Sequence, residues 1–158
     1  MEKTFELKKL KLGLLGVDCQ YQLSETDDDG IVTEKEYHVK DSRPIHPALR
    51  ALFEKDLTEI VAMIFDNTED HAQVEWMSTR INPTGISFAG KNDNIGIAIS
   101  GNIETRVGRV AFKVPRIKYL TGDSDLCAKL TVFSDAIVNE AHEYLFENKS
   151  EDMPVFGE

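Results

Sequence analysis

The sequence predicts an α+β fold in which an antiparallel sheet of about six strands carries two amphipathic helices on one face, in the order ββαββββα. Two segments repeat apolar residues at steps of three and four, which is the spacing of a helix with one buried face. Other segments alternate apolar and polar residues, as half-buried strands do. Strands and helices do not alternate along the chain, so a parallel, doubly wound sheet is disfavoured.

Length and composition indicate one domain. The chain has 158 residues, of which 41% are hydrophobic, and its formal net charge is -10. A chain of this size forms one core, and two cysteines are too few for a disulfide scaffold. The sequence has no apolar run near the ~20 residues that span a bilayer and no apolar segment of a signal peptide. We therefore expect a soluble, cytoplasmic protein with no membrane contact.

The first forty residues predict a long hairpin of two antiparallel strands. Apolar residues alternate from Leu10 onward, but their parity changes by one residue between Gly13 and Gly16. We interpret this change as a β-bulge that bends the first strand. The polar turn at 27–30 then leads into a second strand with Tyr37 and Val39.

The first helix is predicted from Pro47 to about Asp66. Proline is favourable in a first helical turn, where its missing N–H would have no partner. The apolar residues between Leu49 and Phe65 follow helical spacing, and charged residues occupy the opposite side. His46 precedes the helix, where a capping or packing role is expected.

Residues 72 to 114 predict four further strands. Polar turns are expected at 82–85 and 90–94, and the last strand is expected to end at Pro115. The alternating apolar residues of the four strands lie around Val74 and Trp76, Ile86 and Phe88, Ile95 to Ile99, and Val110 to Val114.

The last helix is predicted from Leu126 to about Leu145. Ser124 and Asp125 precede it, and these residue types favour a helix N-terminus. The composition becomes acidic and polar from Asn148 onward. We therefore predict a single domain over residues 1–147 and a flexible acidic tail over 148–158.

Sequence motifs for catalysis and metal binding are missing. Cys19 and Cys127 lie in apolar patterns without a zinc-type spacing, so each is expected to be a small buried hydrophobe. The sequence contains no Gly-x-Ser-x-Gly elbow and no phosphate-binding glycine loop. Because no acid, base or nucleophile stands out, we expect a non-catalytic protein without metal or cofactor.

A basic segment interrupts the acidic chain between Thr105 and Tyr119. It carries five cations and no acidic residue, hence +5 within a chain of -10: Arg106, Arg109, Lys113, Arg116 and Lys118. On a strand, Arg109 and Lys113 would share one face. With Tyr119 as a stacking ring, this stripe could follow a sugar-phosphate backbone. Alternatively, the cations pair with acidic residues of this chain or across the interface of a homo-oligomer.

The C-terminal segment suggests a protein-binding role. Its acidic and aromatic residues Glu151, Asp152, Pro154 and Phe156 resemble the tips with which single-stranded-DNA-binding proteins recruit partners. Acidic groups would meet a basic rim while the aromatic ring enters an apolar pocket. A plain disordered terminus is the alternative.

Four blocks of the sequence resemble a group of small proteins of tailed bacteriophages and prophages. They are Pro44 to Leu49, Gly85 to Phe88, Lys91 to Gly96, and Val114-Pro115. The resemblance covers most of residues 5 to 147 and implies a phage protein that acts in the bacterial cytoplasm, near replication or recombination. The group has no established activity, so the resemblance assigns no role to any residue.

The leading hypothesis is an accessory protein that binds single-stranded nucleic acid or a replication partner. The first alternative is a protein that binds or sequesters a nucleotide, with the same arginines clamping its phosphates. The second alternative is an interaction or inhibitor module whose acidic surface imitates nucleic acid. The charge of -10 excludes a general cationic coat on nucleic acid.

Overall fold

Six strands and two helices make up most of the computed structural model, which describes residues 2–13, 16–66, 79–90, 94–120, 122 and 124–146. The strands are β1 (Glu2–Gly13), β2 (Gly16–Thr26), β3 (Val32–Asp41), β4 (Ile81–Ala89), β5 (Gly96–Thr105) and β6 (Gly108–Lys118). Helix α1 consists of Pro47–Ala51, a π-helical section Leu52–Leu57, and Thr58–Asp66; helix α2 is Asp125–Phe146.

The strands form one antiparallel sheet in the order β3-β2-β1-β4-β5-β6. The predicted fold class, an antiparallel sheet of six strands with two helices, is confirmed. One core joins both helices to the apolar face of the sheet, where Leu10, Ile86 and Ile99 meet Phe53 and Ile137. The opposite face carries the polar residues of each strand, and we call it the open face.

The parity change near Gly13 is a hairpin turn, not the predicted bulge. Residues facing each other across this turn have numbers of opposite parity, such as Leu12 with Val17, so the turn produces the same sequence pattern as a bulge. Gly16 has a φ of 138°, and a side chain there would collide with the backbone of Asp41. Three strands therefore precede α1. The register shift in β1 lies between Leu7 and Lys9.

Two other boundaries differ from the predictions. The segment 82–85, expected to be a turn, lies within β4 and pairs with β5 through a register shift between Pro83 and Gly85. β6 continues past Pro115 to Lys118, because β6 lies at the edge of the sheet and its register with β5 shifts opposite this proline. The strand predicted around Val74 and Trp76, like the tail 148–158, lies outside the described residues.

The start of α1 confirms the capping role expected for His46. Its Nδ1 accepts a hydrogen bond of 2.9 Å from the backbone N–H of Ala48, and Pro47 occupies the first turn. Thr58 lies next to the π-helical section, where its hydroxyl donates to the carbonyls of Glu54 and Lys55 at 2.9 and 2.8 Å. Side chains that bond to the preceding turn in this way bend helices.

Arg43 fastens the end of β3 to the last turn of α2. Its Nη2 donates to Asp41 Oδ2 at 2.6 Å and to the backbone carbonyl of Tyr144 at 2.7 Å. The Tyr144 hydroxyl donates to the Arg43 carbonyl at 2.8 Å, and the guanidinium lies 4.7 Å from the centre of the tyrosine ring. Hydrogen bonds from Arg43 lower the pKa of Asp41, while burial, followed by the charge of Asp41, raises the pKa of Tyr144 to about 12.

We expect Tyr144→Phe to lower the free energy of unfolding by about 1–2 kcal/mol, because the Arg43 carbonyl then loses its buried donor. Urea denaturation at pH 7 followed by circular dichroism measures this loss. Tyr37→Phe is the matched control, since its hydroxyl forms no hydrogen bond within the described part of the chain. Equal stability of Tyr144→Phe and the wild type would show that the hydrogen bond between Tyr144 and the Arg43 carbonyl does not stabilise the fold.

The lowered pKa of Asp41 predicts a pH-dependent contribution to stability. The ionised carboxylate stabilises the fold above the pKa of an unfolded aspartate, about 3.9, and this contribution is lost as pH falls through the lower folded pKa. Asp41→Asn should therefore lower the free energy of unfolding at pH 7, and its difference from the wild type should shrink below about pH 4. Denaturation curves from pH 7 to 3 test this, with the exposed Asp135→Asn as control. A difference that does not change with pH would overturn the prediction.

Candidate functional site

The pairing of β5 and β6 sets the direction of the basic side chains. Arg109 lies opposite Glu104, and Lys113 lies opposite Ser100. Val114 lies opposite Ile99 in the core, so Lys113 points to the other side of the sheet. Arg109 and Lys113 thus share the open face, as their spacing predicted.

The other members of the basic segment lie at different places. Arg106 is in the turn between β5 and β6, and the Arg116 side chain packs over Gly96. Lys118 Nζ lies 3.5 Å from Asn94 Oδ1. Tyr119 is only 4% exposed, so its ring lies in the core and not on the surface where it was expected to stack on a base.

Lys113 lines a shallow groove on the open face together with Lys9 and Lys11 of β1. The groove has a volume of about 230 Å³. Its floor consists of small residues from the two strands in between, namely Gly85, Ser87, Ala98 and Ser100. Lys11, Gly85, Ser100 and Lys113 lie in one row of the sheet. At about 4.8 Å per strand, the backbones at Lys11 and Lys113 are about 14 Å apart.

Sequence reasoning missed Lys9 and Lys11. Their alternation with Leu10 and Leu12 would have placed both lysines on a polar face. The alternation does not show that the two lysines lie near Lys113, because their distance from Lys113 depends on the pairing of β1 with β4.

The groove offers cations and small polar groups but no ring. Among the described residues of β1, β4, β5 and β6, the side chains on the open face include no aromatic residue. Ser87 and Ser100 supply hydroxyl groups beside the lysines. These described residues can therefore bind negatively charged groups but offer no surface on which a base would stack.

One cation of the basic segment, Arg109, forms an ion pair with an acidic residue of the neighbouring strand. Arg109 Nε lies 3.6 Å from Glu104 Oε1, and both side chains are more than 60% exposed. A pair this exposed contributes little free energy and would exchange readily for another anion. Arg109 is thus paired with an acidic residue of its own chain, which is one of the alternatives that the sequence left open.

Arg109 also lines a second, larger cleft at the end of the sheet. This cleft has a volume of about 940 Å³ and lies between the strand ends and α1. Its charged side chains are Arg43, Arg50, Arg109 and Glu54. Arg43 is held by Asp41, while Asn82 and Thr84 add polar groups.

His46 forms a cluster with Glu140 and Glu143 in which the potential ligand atoms lie within 4.8 Å of one another. Because Nδ1 of His46 accepts the Ala48 N–H, the proton of the neutral ring is on Nε2, which faces Glu140 Oε2 at 3.8 Å. A metal on Nε2 would require the ring proton on Nδ1 and would break the hydrogen bond from Ala48. We therefore interpret His46 as the N-cap of α1, with the carboxylate of Glu140 beside its ring.

Cys19 has the buried position expected for a small hydrophobe. Burial, with a contribution from the charge of Asp18, raises the pKa of its thiol to about 12. The thiolate is the nucleophilic form, so Cys19 is unreactive at neutral pH. The second cysteine, Cys127, is half-buried near the start of α2.

Comparison of the chain with protein-family models, with curated proteins and with solved structures gave no match. Within the described part of the chain, neither helix is long and apolar enough to cross a membrane. The geometry and charge of the described residues therefore carry the functional argument.

Proposed function

We propose that this protein is a non-catalytic accessory protein that binds single-stranded nucleic acid on the open face of its sheet. The observation that carries the proposal is the groove in which Lys9, Lys11 and Lys113 surround a floor of small residues. A lysine ammonium is a compact point charge with three donors, which suits a phosphate oxygen.

The small residues on the floor of the groove favour close contact with the phosphate backbone. Gly85, Ser87, Ala98 and Ser100 have short side chains, so a polyanion could approach the sheet between the lysines. Since the described residues of the groove supply no ring for stacking, contacts to phosphate are expected to dominate. Binding should therefore depend little on base sequence and strongly on salt.

The shape of the face favours a single strand over a duplex. Proteins that read a duplex insert a helix or a ribbon into one of its grooves. The groove here lies on the face of the sheet opposite the helices, so neither of the described helices is available to enter a groove of a duplex. A flexible single strand can lie across such a surface.

The setting that we propose is the cytoplasm of a bacterial host, near phage replication or recombination. It rests on the sequence resemblance described above. Glu151, Asp152, Pro154 and Phe156, which would recruit a replication partner in this setting, lie outside the described residues.

We expect the protein to bind a fluorescent oligothymidylate at low salt. With three phosphates neutralised, log K should fall with log salt at a slope of about −2. Lys9→Glu and Lys113→Glu should each weaken binding about ten-fold, because a cation at the groove becomes a repelling anion. Fluorescence anisotropy over a salt series measures both effects.

The matched control is Lys55→Glu on α1, which makes the same change in net charge on the helical side of the sheet. It should bind like the wild type. Absence of wild-type binding at low salt, or an equal loss in all three variants, would refute the groove as the binding site.

A second candidate function is binding of an anionic nucleotide in the cleft beside α1. The volume of about 940 Å³ and the three arginines that line the cleft favour it. Arginine binds phosphate through paired N–H donors. Such a ligand would sit at the strand ends and not in the lysine groove.

Thermal shift with a panel of nucleotides tests this second function. A nucleotide at 100 times its dissociation constant should add about 2.7 kcal/mol of apparent stability. Arg50→Glu should abolish the shift, whereas Lys113→Glu should leave it unchanged. A panel without any shift would count against a nucleotide site.

A further inference from the structure

The outer edge of β3 is unpaired within the described part of the chain. β3 is the first strand of the sheet order, and its only described neighbour is β2. It is ten residues long, and most of its side chains are exposed. A long edge strand presents a row of free backbone N–H and C=O groups, which is a template for another strand.

The charges along β3 complement a second, antiparallel copy of β3. If the two copies pair with Tyr37 opposite Tyr37, then Glu34 faces Lys40. In the same register, Glu36 faces His38. The Glu34–Lys40 pair occurs twice by symmetry, and opposite charges directly across two strands stabilise a sheet.

Neighbouring registers fit less well. A register centred on Glu36 would place that carboxylate opposite itself. A register centred on His38 would shorten the paired region and leave Glu34 opposite Ser42, beyond the end of β3. On the open side of β3, the carboxylates Glu34 and Glu36 precede His38 and Lys40. The register centred on Tyr37 is thus the one that pairs Glu34 with Lys40.

Aromatic side chains on the helical side of the edge support the same register. The Tyr37 ring is 38% exposed and stacks on Tyr21 with 5.1 Å between ring centres. Phe146 is 43% exposed, and its ring centre lies 5.5 Å from that of Tyr21. Tyr37 of a second copy would extend this aromatic cluster and cover its exposed side.

The opposite edge of the sheet does not suit self-association. β6 carries Arg109, Lys113, Arg116 and Lys118 and no acidic residue, so two copies would repel each other. Pro115 also removes one backbone donor from that edge. Self-pairing is therefore favoured at β3 and disfavoured at β6.

We propose that the protein forms a homodimer in which β3 pairs with β3 of a second copy, so that the two sheets become continuous. The two-fold axis runs perpendicular to the sheet and places both open faces on one side. This proposal does not depend on nucleic-acid binding, because β3 contributes no residue to the groove and β2 lies between β3 and β1, the nearest strand of the groove.

Charge-swap variants of two exposed residues test the dimer. Glu34→Lys places two cations across from each other at both Glu34–Lys40 pairs, and Lys40→Glu places two carboxylates there. Each variant should weaken dimerisation about ten-fold or more, because two attractive cross-strand pairs become repulsive. A mixture of the two single variants should form a heterodimer, because both cross-strand positions then join a lysine to a glutamate. The double variant alone should also dimerise, because its lysine at 34 faces its glutamate at 40 in both pairs. Sedimentation equilibrium over a range of concentrations measures the association.

Asp135→Lys, an exposed substitution on α2 with the same change in charge as Glu34→Lys, should leave the dimer intact. Circular dichroism of every variant confirms that the fold is retained. A wild type that stays monomeric at all concentrations would overturn the proposal. So would a dimer that Glu34→Lys leaves unchanged, or growth beyond the dimer, which indicates a heterologous contact of β3 with β6.

Discussion

The antiparallel contact between β1 and β4 holds the two halves of the sheet together. Three residue pairs form its register: Lys9 with Ser87, Leu10 with Ile86, and Lys11 with Gly85. Among the six described strands, every other pair of neighbours is consecutive in sequence, so this contact joins strands that are far apart along the chain. Bringing them together costs entropy, which the burial of Leu10 and Ile86 beneath the helices offsets.

The same three pairs produce both faces of the molecule. Leu10 and Ile86 point into the core, whereas Lys9 and Lys11 point to the open face beside the small residues of β4. Helix α1 packs against β4 and α2 packs against β1, so the helices also bridge the central contact. Stability and the candidate binding groove thus depend on one register, since a slip by one residue would exchange the two faces.

Charge is unevenly distributed over this fold. Residues 105 to 119 contribute +5 to a chain of -10, and three further lysines lie at 8, 9 and 11 on β1. The exposed sides of the helices carry acidic residues such as Glu54, Asp56 and Asp135. A polyanion would therefore meet a repulsive average field and an attractive local one, and salt screens both.

Local patterns in the sequence determined which face each element buries. The helical spacing of α1 and α2 and the shared side of Arg109 and Lys113 follow from the fixed periods of helix and strand. The same periods could not separate a hairpin from a bulge at Gly13, because both change the parity of the apolar residues by one. They also could not show that Tyr119 is buried, because the chain has already left β6 at that position.

Only the tertiary structure decided which strands are neighbours. The order β3-β2-β1-β4-β5-β6 brings Lys9 and Lys11 to the groove of Lys113 and leaves β3 at an edge. No local pattern contains this order, because contacts between residues far apart in sequence depend on how the whole apolar surface is buried at once. The sequence by itself determined the fold class and the faces of its elements, and the pairing of β1 with β4 decided where its charges meet.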